Sequence, residues 1–368
     1  AQQWVAARYR RNNSQSPLVD KDNVTRDADA SRFIDAAKDF DHQPSRRYLK
    51  YTFPLQGGFD GVNIFDRDQS QLTDNAAKRE MADESLGKSA GPTVSAYMKA
   101  LHIMAEKSDV DIQLLALPGI RETKITDEAI QKTEERFDAL YIMDIEERDA
   151  DNLVVTASHQ EISVSNTIED LRGRALDTSF AAAYFPDTII PDPVTQTNVR
   201  VPPSVSVIGA MSLNDSVAFP WFAPAGFTRG LVTNANDIAV NPNQKQRDEF
   251  YKANINPVAQ FPSQGLVVFG QKTLSKKSSA FDRINVRRLF LSLERPTKKA
   301  TRFFVFEQNT EFTRTRIVNT LTPIFERAKN NEGLFDYLIV CDERNNTSAT
   351  IEHEVKINSH VHIAPSAT

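Results

Sequence analysis

From residue 281 to 293 the chain reads FDRINVRRLFLSL. Val286, Leu289, Phe290 and Leu293 recur at i, i+3, i+4 and i+7, the spacing of one apolar helix face. Arg283, Arg287 and Arg288 share the segment. The pattern predicts a helix over 281–295 that holds a core with one side and presents permanently charged, fork-shaped donors with the other. No substrate pocket obviously needs arginines at those positions, whereas a chain that docks against copies of itself does. The helix also needs a layer on which to lie.

The flanking sequence supplies that layer. Short apolar runs predict strands at 111–117, 139–145, 181–185, 266–269, 303–306 and 337–341, with an alternating strand at 355–363. Helices are expected at 94–107, after Thr126 with Asp127 and Glu128 in the first turn, and at 160–173. Further helices are expected at 202–211, opened by Pro202 and Pro203 where a lost donor does least harm, at 243–253, and at 311–330 with a kink at Pro323. Alternating short strands and helices predict an α/β (α+β layered) fold, with helices packed around a mixed β-sheet. Upstream the pattern weakens to a helix at 31–40, a strand at 48–54, a glycine turn at 57–61 and a long polar loop over 66–92. The expected division is a less regular outer or insertion portion over 1–100 and a core domain over 101–368.

Composition narrows the function classes. The 368 residues carry 44 basic and 49 acidic side chains, a formal charge of −5, which argues against a nucleic-acid coat. No run approaches the roughly 20 apolar residues of a membrane span, and the first residues do not read as a secretory leader. One cysteine, Cys341, excludes an internal disulfide framework and suits a reducing compartment. The start at Ala1 and the stop shortly after an apparent strand read as a piece of a longer protein.

Constellations that carry chemistry are sparse. The sequence holds no phosphate-loop, dinucleotide-binding, nucleophile-elbow or metalloprotease motif. The Gly57-Gly58-Phe59-Asp60-Gly61 element reads as a turn, because no helix start follows it. His353, Glu354, His360 and His362 allow a zinc reading against solvated imidazoles on a strand face. Cys341-Asp342-Glu343 allows a nucleophile reading against a small buried residue at a strand end. Arg283, Arg287, Arg288, Arg295, Lys298, Lys299 and Arg302 form the one real basic cluster, with Asp282 and Glu294 as its only acids. Three readings stay open: phosphate neutralisation, a solvated helix face, and docking onto acidic surfaces of neighbouring subunits. The acidic runs 133–135 and 144–147 are the expected mates in another copy.

Several segments together resemble the contractile tail sheath proteins of T4-like and giant, phiKZ-like bacteriophages. They are Ala223-Pro224-Ala225-Gly226 with Arg229-Gly230, Ile255-Asn256-Pro257, Gly270-Gln271-Lys272-Thr273-Leu274 and FDRINVRRLF at 281–290. ATRFFVFE at 300–307 and YLIVCDERNN at 337–346 complete the set, in the family's order and at similar spacing. The resemblance is strong over 110–363, weaker over 48–65 and absent over 1–47. It implies a structural subunit without catalytic residues, cofactor or metal, and with no direct nucleic-acid or membrane partner. Family members stack as hexameric rings around a tail tube, assembled in the host bacterial cytoplasm and carried on the virion tail. They contract from the baseplate to drive the tube through the host envelope, with a tail terminator at the far end. Terminal arms lend strands to neighbours' sheets. The implied interface to subunits or tube is Arg283, Arg287, Arg288, Arg295, Lys298, Lys299 and Arg302. At both ends the sequence departs from that pattern, so the chain as it stands is expected to remain largely monomeric. The competing expectation is an α/β enzyme with a pocket at the carboxyl ends of its strands.

Overall fold

The computed structural model describes residues 72–155, 161–346 and 355–364, together with the backbone of a two-strand antiparallel pair, Leu18–Val19 with Thr25–Arg26. The expected helix at 31–40, strand at 48–54 and glycine turn at 57–61 lie outside the described residues. The chain divides into two compact units, Ala1–Tyr97 and Met98–Thr368.

The expected polar loop over 66–92 is helical where it is described. Helix α1 spans Asp74–Ala82, capped by the Thr73 hydroxyl, which accepts from the Ala76 N–H at 3.2 Å. Two single 3-10 turns follow, and α2 runs over Pro92–Ala105. Glu80 is buried on α1 and accepts from the backbone N–H groups of Thr93 and Val94, each at 3.0 Å. A carboxylate from one helix thus satisfies the first-turn donors of the next. Composition hid this, because a lone Glu among polar residues looks solvated.

In the larger unit, β1 (Leu114–Ala116), α3 (Thr123–Arg136), β2 (Leu140–Asp144), α4 (Val164–Gly173) and β3 (Ala181–Phe185) alternate as expected. The cap of α3 differs: the Glu122 side chain caps it, and Thr126 lies inside, turning its hydroxyl back to the Glu122 and Thr123 carbonyls. Next come β4 (Thr188–Pro191), β5 (Asn198–Val201), α5 (Pro203–Val217), the short α6 (Gly226–Arg229), β6 (Asp237–Ile238) and α7 (Gln244–Lys252). Strands β7 (Ile255–Phe261) and β8 (Gly265–Val268) form a hairpin. The chain continues through α8 (Ile284–Thr301), α9 (Glu311–Asn330), β9 (Leu334–Val340) and β10 (Asn358–Ile363).

The central sheet has the order β8-β7-β3-β2-β1, parallel from β7 to β1 with β8 antiparallel at one edge. Every residue of β2 and β3 is buried, as a strand covered on both faces must be. Leu140, Ile142, Ala182 and Tyr184 join one core with Val207 and Met211 of α5 and Ile284 and Leu291 of α8. Behind β3, the Phe185 ring sits 5.0 Å from Phe250 of α7. A three-stranded antiparallel sheet, β5-β4-β6, and a two-stranded sheet, β9-β10, stand apart from it.

Helix α8 corrects the one-sided reading of FDRINVRRLF. Ile284 and Leu291 face the sheet core, while Leu289 and Leu293 face a second core with Ile317, Leu321 and Phe325 of α9 and Leu334 of β9. The helix lies between two cores, so little of its first three turns is left for solvent. It also runs through Pro296 to Thr301. The expected strand over 303–306 is absent: Arg302–Phe304 is a 3-10 turn that leads into a loop.

Candidate assembly interface

The short motifs prove to be mutual supports. Buried Asn256 donates to the carbonyls of Ala183 (3.1 Å) and Lys272 (2.8 Å) and accepts from the Lys272 N–H (2.6 Å). Gly270 is required there, since a Cβ would come within 2.9 Å of Asn256 Cα. Thr273 donates its hydroxyl to the Phe281 carbonyl at 2.8 Å, and the Ile284 N–H donates to the Gln271 carbonyl at 2.8 Å. Three separated motifs therefore fix where α8 starts.

The seven basic residues divide along α8. Arg287 is buried between the rings of Phe180 (4.0 Å) and Phe281 (4.3 Å), and its guanidinium donates to the Ser179 hydroxyl. Burial pulls Arg287 down to about 10, so it still carries its charge at neutral pH. Arg288 is buried against Asp215 of α5. Arg283 reaches Asp282 at 3.2 Å and the Tyr251 hydroxyl at 3.1 Å. Farther along, Arg295 and Lys299 both meet Asp111, and Lys298 pairs with Glu294 one turn back. Lys298, Lys299 and Arg302 are the outward members. The first half of the cluster thus anchors the helix within its own subunit, and the last turn faces outward. Sequence spacing showed the cluster but not this partition, because Phe180 and Asp215 come from distant segments.

The expected acidic mates divide too. Asp144 and Glu147 are buried, which removes 144–147 as a docking surface. Asp144 accepts from the Gly119 N–H (3.0 Å), the Ser204 N–H (2.8 Å) and the Ser204 hydroxyl (2.7 Å). It therefore caps α5, whose own N-cap, Pro202, has no side-chain donor or acceptor to offer. Glu147 accepts from Arg200 and from the Asp187 N–H, while Asp187 accepts from Arg121 (2.5 Å) and Arg200 (2.9 Å). Burial pushes the Asp144 and Glu147 carboxyls above the usual range. This closed ion cluster occupies the carboxyl ends of β2 and β3, where an open α/β enzyme keeps its ligand crevice. Cys341 is buried and its thiol is pushed up by burial, the opposite of an activated nucleophile. His360 and His362 stand on β10, and His353 and Glu354 lie outside the described residues. Among the described residues no group of three or more His, Cys, Asp or Glu side chains could hold a metal ion. Nor is any described helix long and apolar enough to cross a membrane.

One open region of the larger unit lies around α9, β9 and β10. Among the described residues, strands β9 and β10 pair only with each other. Tyr337, Ile339, Val361 and Ile363 pack inward, whereas Phe335 and Leu338 are exposed. Beside β10 runs a groove of about 1070 Å³, floored by Ile317, Leu321 and Phe325 and walled by Val355 and Ile357. Two-stranded sheets with free edges invite a further strand.

Comparison with known proteins assigns the fold and the family. Residues 87–274 match the family described as phage tail sheath protein central domain, and 276–368 match the phage tail sheath C-terminal domain. The chain is 37% identical over 174 residues to a tail sheath protein of Vibrio phage KVP40, covering 47% of this chain and 26% of that protein. It is 30% identical over 284 residues to a tail sheath protein of Enterobacteria phage T4, covering 73% of this chain and 42% of that protein. The chain thus spans less than half the length of these relatives. In fold it is similar to a chain of the anti-feeding prophage baseplate in its contracted state, with TM-score 0.60, 19% identity and coverage of 73% of each chain. It is also similar to the contracted sheath complex of the PVC extracellular contractile injection system, with TM-score 0.57, 22% identity and coverage of 70% of this chain and 68% of that one. Motifs that lock one another in place, a crevice closed by ions and two matched family domains lead to one conclusion: this chain belongs to the phage tail sheath protein family.

Proposed function

We propose that this chain is a structural subunit of a contractile phage tail sheath, polymerising helically around a tail tube and contracting to drive the tube through the host envelope. The observation that carries the reading is the β9-β10 hairpin, which has no further strand on either edge among the described residues and a groove with an apolar floor beside it, on a chain of the sheath family. A strand lent by a neighbour satisfies the edge N–H and C=O groups and buries its apolar side on Ile317, Leu321 and Phe325. Such a joint links subunits through main-chain bonds and lets them shift without parting. Where the rotation of such a head-to-tail contact does not close, successive subunits build an open helix.

In this reading residues 101–368 form the polymerising core and 1–100 belong to an outer portion. Partners are neighbouring subunits in hexameric rings, the tube, the baseplate and a tail terminator. The particle is assembled in the host cytoplasm and the protein ends on the virion tail. Contraction needs no nucleotide, since the work comes from moving downhill between two packings of the same subunits. Of the seven basic residues, Lys298, Lys299 and Arg302 are the ones placed to meet a neighbour or the tube, with Arg283, Arg287, Arg288 and Arg295 setting the helix that presents them. Electron microscopy of the protein with whatever flanking sequence it carries tests the proposal. Hollow, striated tubes are expected. Dispersed particles under all assembly conditions would contradict it.

A further inference from the structure

The 303–306 segment reads as a strand in sequence and is not one in the structure. Four large apolar side chains in ten residues are left in solvent: Phe303 (84% exposed), Val305 (59%), Phe306 (102%) and Phe312 (73%). Phe306 also sits at φ +71°, a left-handed conformation that a bulky L-residue adopts at a cost. Burial within the subunit does not account for any of the four. A strained turn that displays a fully exposed aromatic ring is costly to keep unless the ring is covered in the working state.

Charge indicates what covers it. Lys298, Lys299, Arg302, Arg314 and Arg316 surround these rings in sequence, against Glu307 and Glu311. Arg302 and Arg316 are exposed, and the Arg316 guanidinium lies 5.5 Å from the Phe304 ring and 5.8 Å from Phe312. The stretch from 297 to 316 therefore carries +3 on a chain whose net charge is −5, leaving the remainder at −8. Val305 and Phe306 also line the groove beside β10, so the patch is continuous with the proposed strand-accepting surface.

We infer that Phe303, Phe306 and Phe312, with Arg302 and Arg316 beside them, form a docking knob for a second copy of this chain, whose net negative charge outside this stretch complements it. The inference rests on the sheath reading and adds a second contact beside strand exchange. Aromatic anchors beside basic side chains suit such a joint: the rings supply most of the stabilisation, and the charges set orientation and approach.

A photoreactive phenylalanine analogue at position 306 provides the test, used in the assembling full-length protein. Adducts joining 306 to a second copy are expected. The double variant Phe303→Ser/Phe306→Ser should keep its melting temperature, because both rings are exposed, and weaken self-association at least tenfold in sedimentation velocity. Arg302→Glu/Arg316→Glu should weaken it comparably, with a smaller salt dependence than the unsubstituted protein. Tubes that form normally from the Phe303→Ser/Phe306→Ser variant, or adducts only within one chain or to another protein, overturn the knob and leave the sheath reading standing. An unsubstituted protein that never self-associates overturns both.

Discussion

Asp144 shows how much one residue can hold. Its carboxylate gathers the β1–α3 turn and the first turn of α5 onto the end of β2, with three donors within 3.0 Å. Asp144→Ala leaves buried N–H groups unpaired and should lower unfolding free energy by about 3 kcal/mol, read by urea denaturation. Glu147 yields a pH signature. Its folded carboxyl titrates above its ordinary value of 4.5 because burial disfavours the charge. The folded state therefore holds that proton to higher pH than the unfolded chain does. The contribution is fully present below pH 4.5 and is lost as pH rises through the folded value. Glu147→Gln cannot ionise, so the variant should lose less stability than the parent between pH 4.5 and 7. Equal slopes in matched denaturation series would refute the assignment. Neither role was legible in sequence, where 144–147 read as an acidic surface run. Spacing cannot reveal that Ser204 and Arg200 arrive from more than fifty residues away.

At the scale of elements, α8 is the piece that most of the molecule leans on. Its apolar positions were legible, and so was its start at the FDRINV motif. Its second buried face was not, because Arg287 and Arg288 occupy it and arginine counts as polar in any periodicity. Leu289→Ala and Leu291→Ala empty different cores and should each cost about 3 kcal/mol. The two residues face opposite sides of the helix, so the double variant should lose the sum within about 0.5 kcal/mol, measured by a double-mutant cycle. A large coupling energy would mean that the two cores collapse as one. The β4-β5-β6 sheet left little trace in sequence: its strands are two to four residues long and half-exposed, too short for an alternation to register. Residues 303–306 failed in the opposite sense. Four apolar residues in a row promised a strand, yet only Phe304 packs on the second core, and Phe303, Val305 and Phe306 stay exposed. Such mismatches mark places where a sequence serves something beyond its own fold.

At the scale of the molecule, the larger unit covers its central sheet with helices and fills the carboxyl ends of β2 and β3 with its own ions. Around α9 it gathers the hairpin edges, the groove and the exposed phenylalanines. The family resemblance was legible in short motifs because those motifs interlock, Asn256 with Gly270 and Lys272, Thr273 with Phe281. The central claim is that neighbouring copies complete the β9-β10 hairpin. Amide hydrogen exchange over Leu334–Val340 and Asn358–Ile363, compared between dispersed subunits and assembled tubes, tests it most directly. Free-edge amides of both strands should exchange readily in the dispersed protein and slow by at least a hundredfold in tubes. Equal exchange in the two states would show that no strand is added there and would contradict the proposed joint.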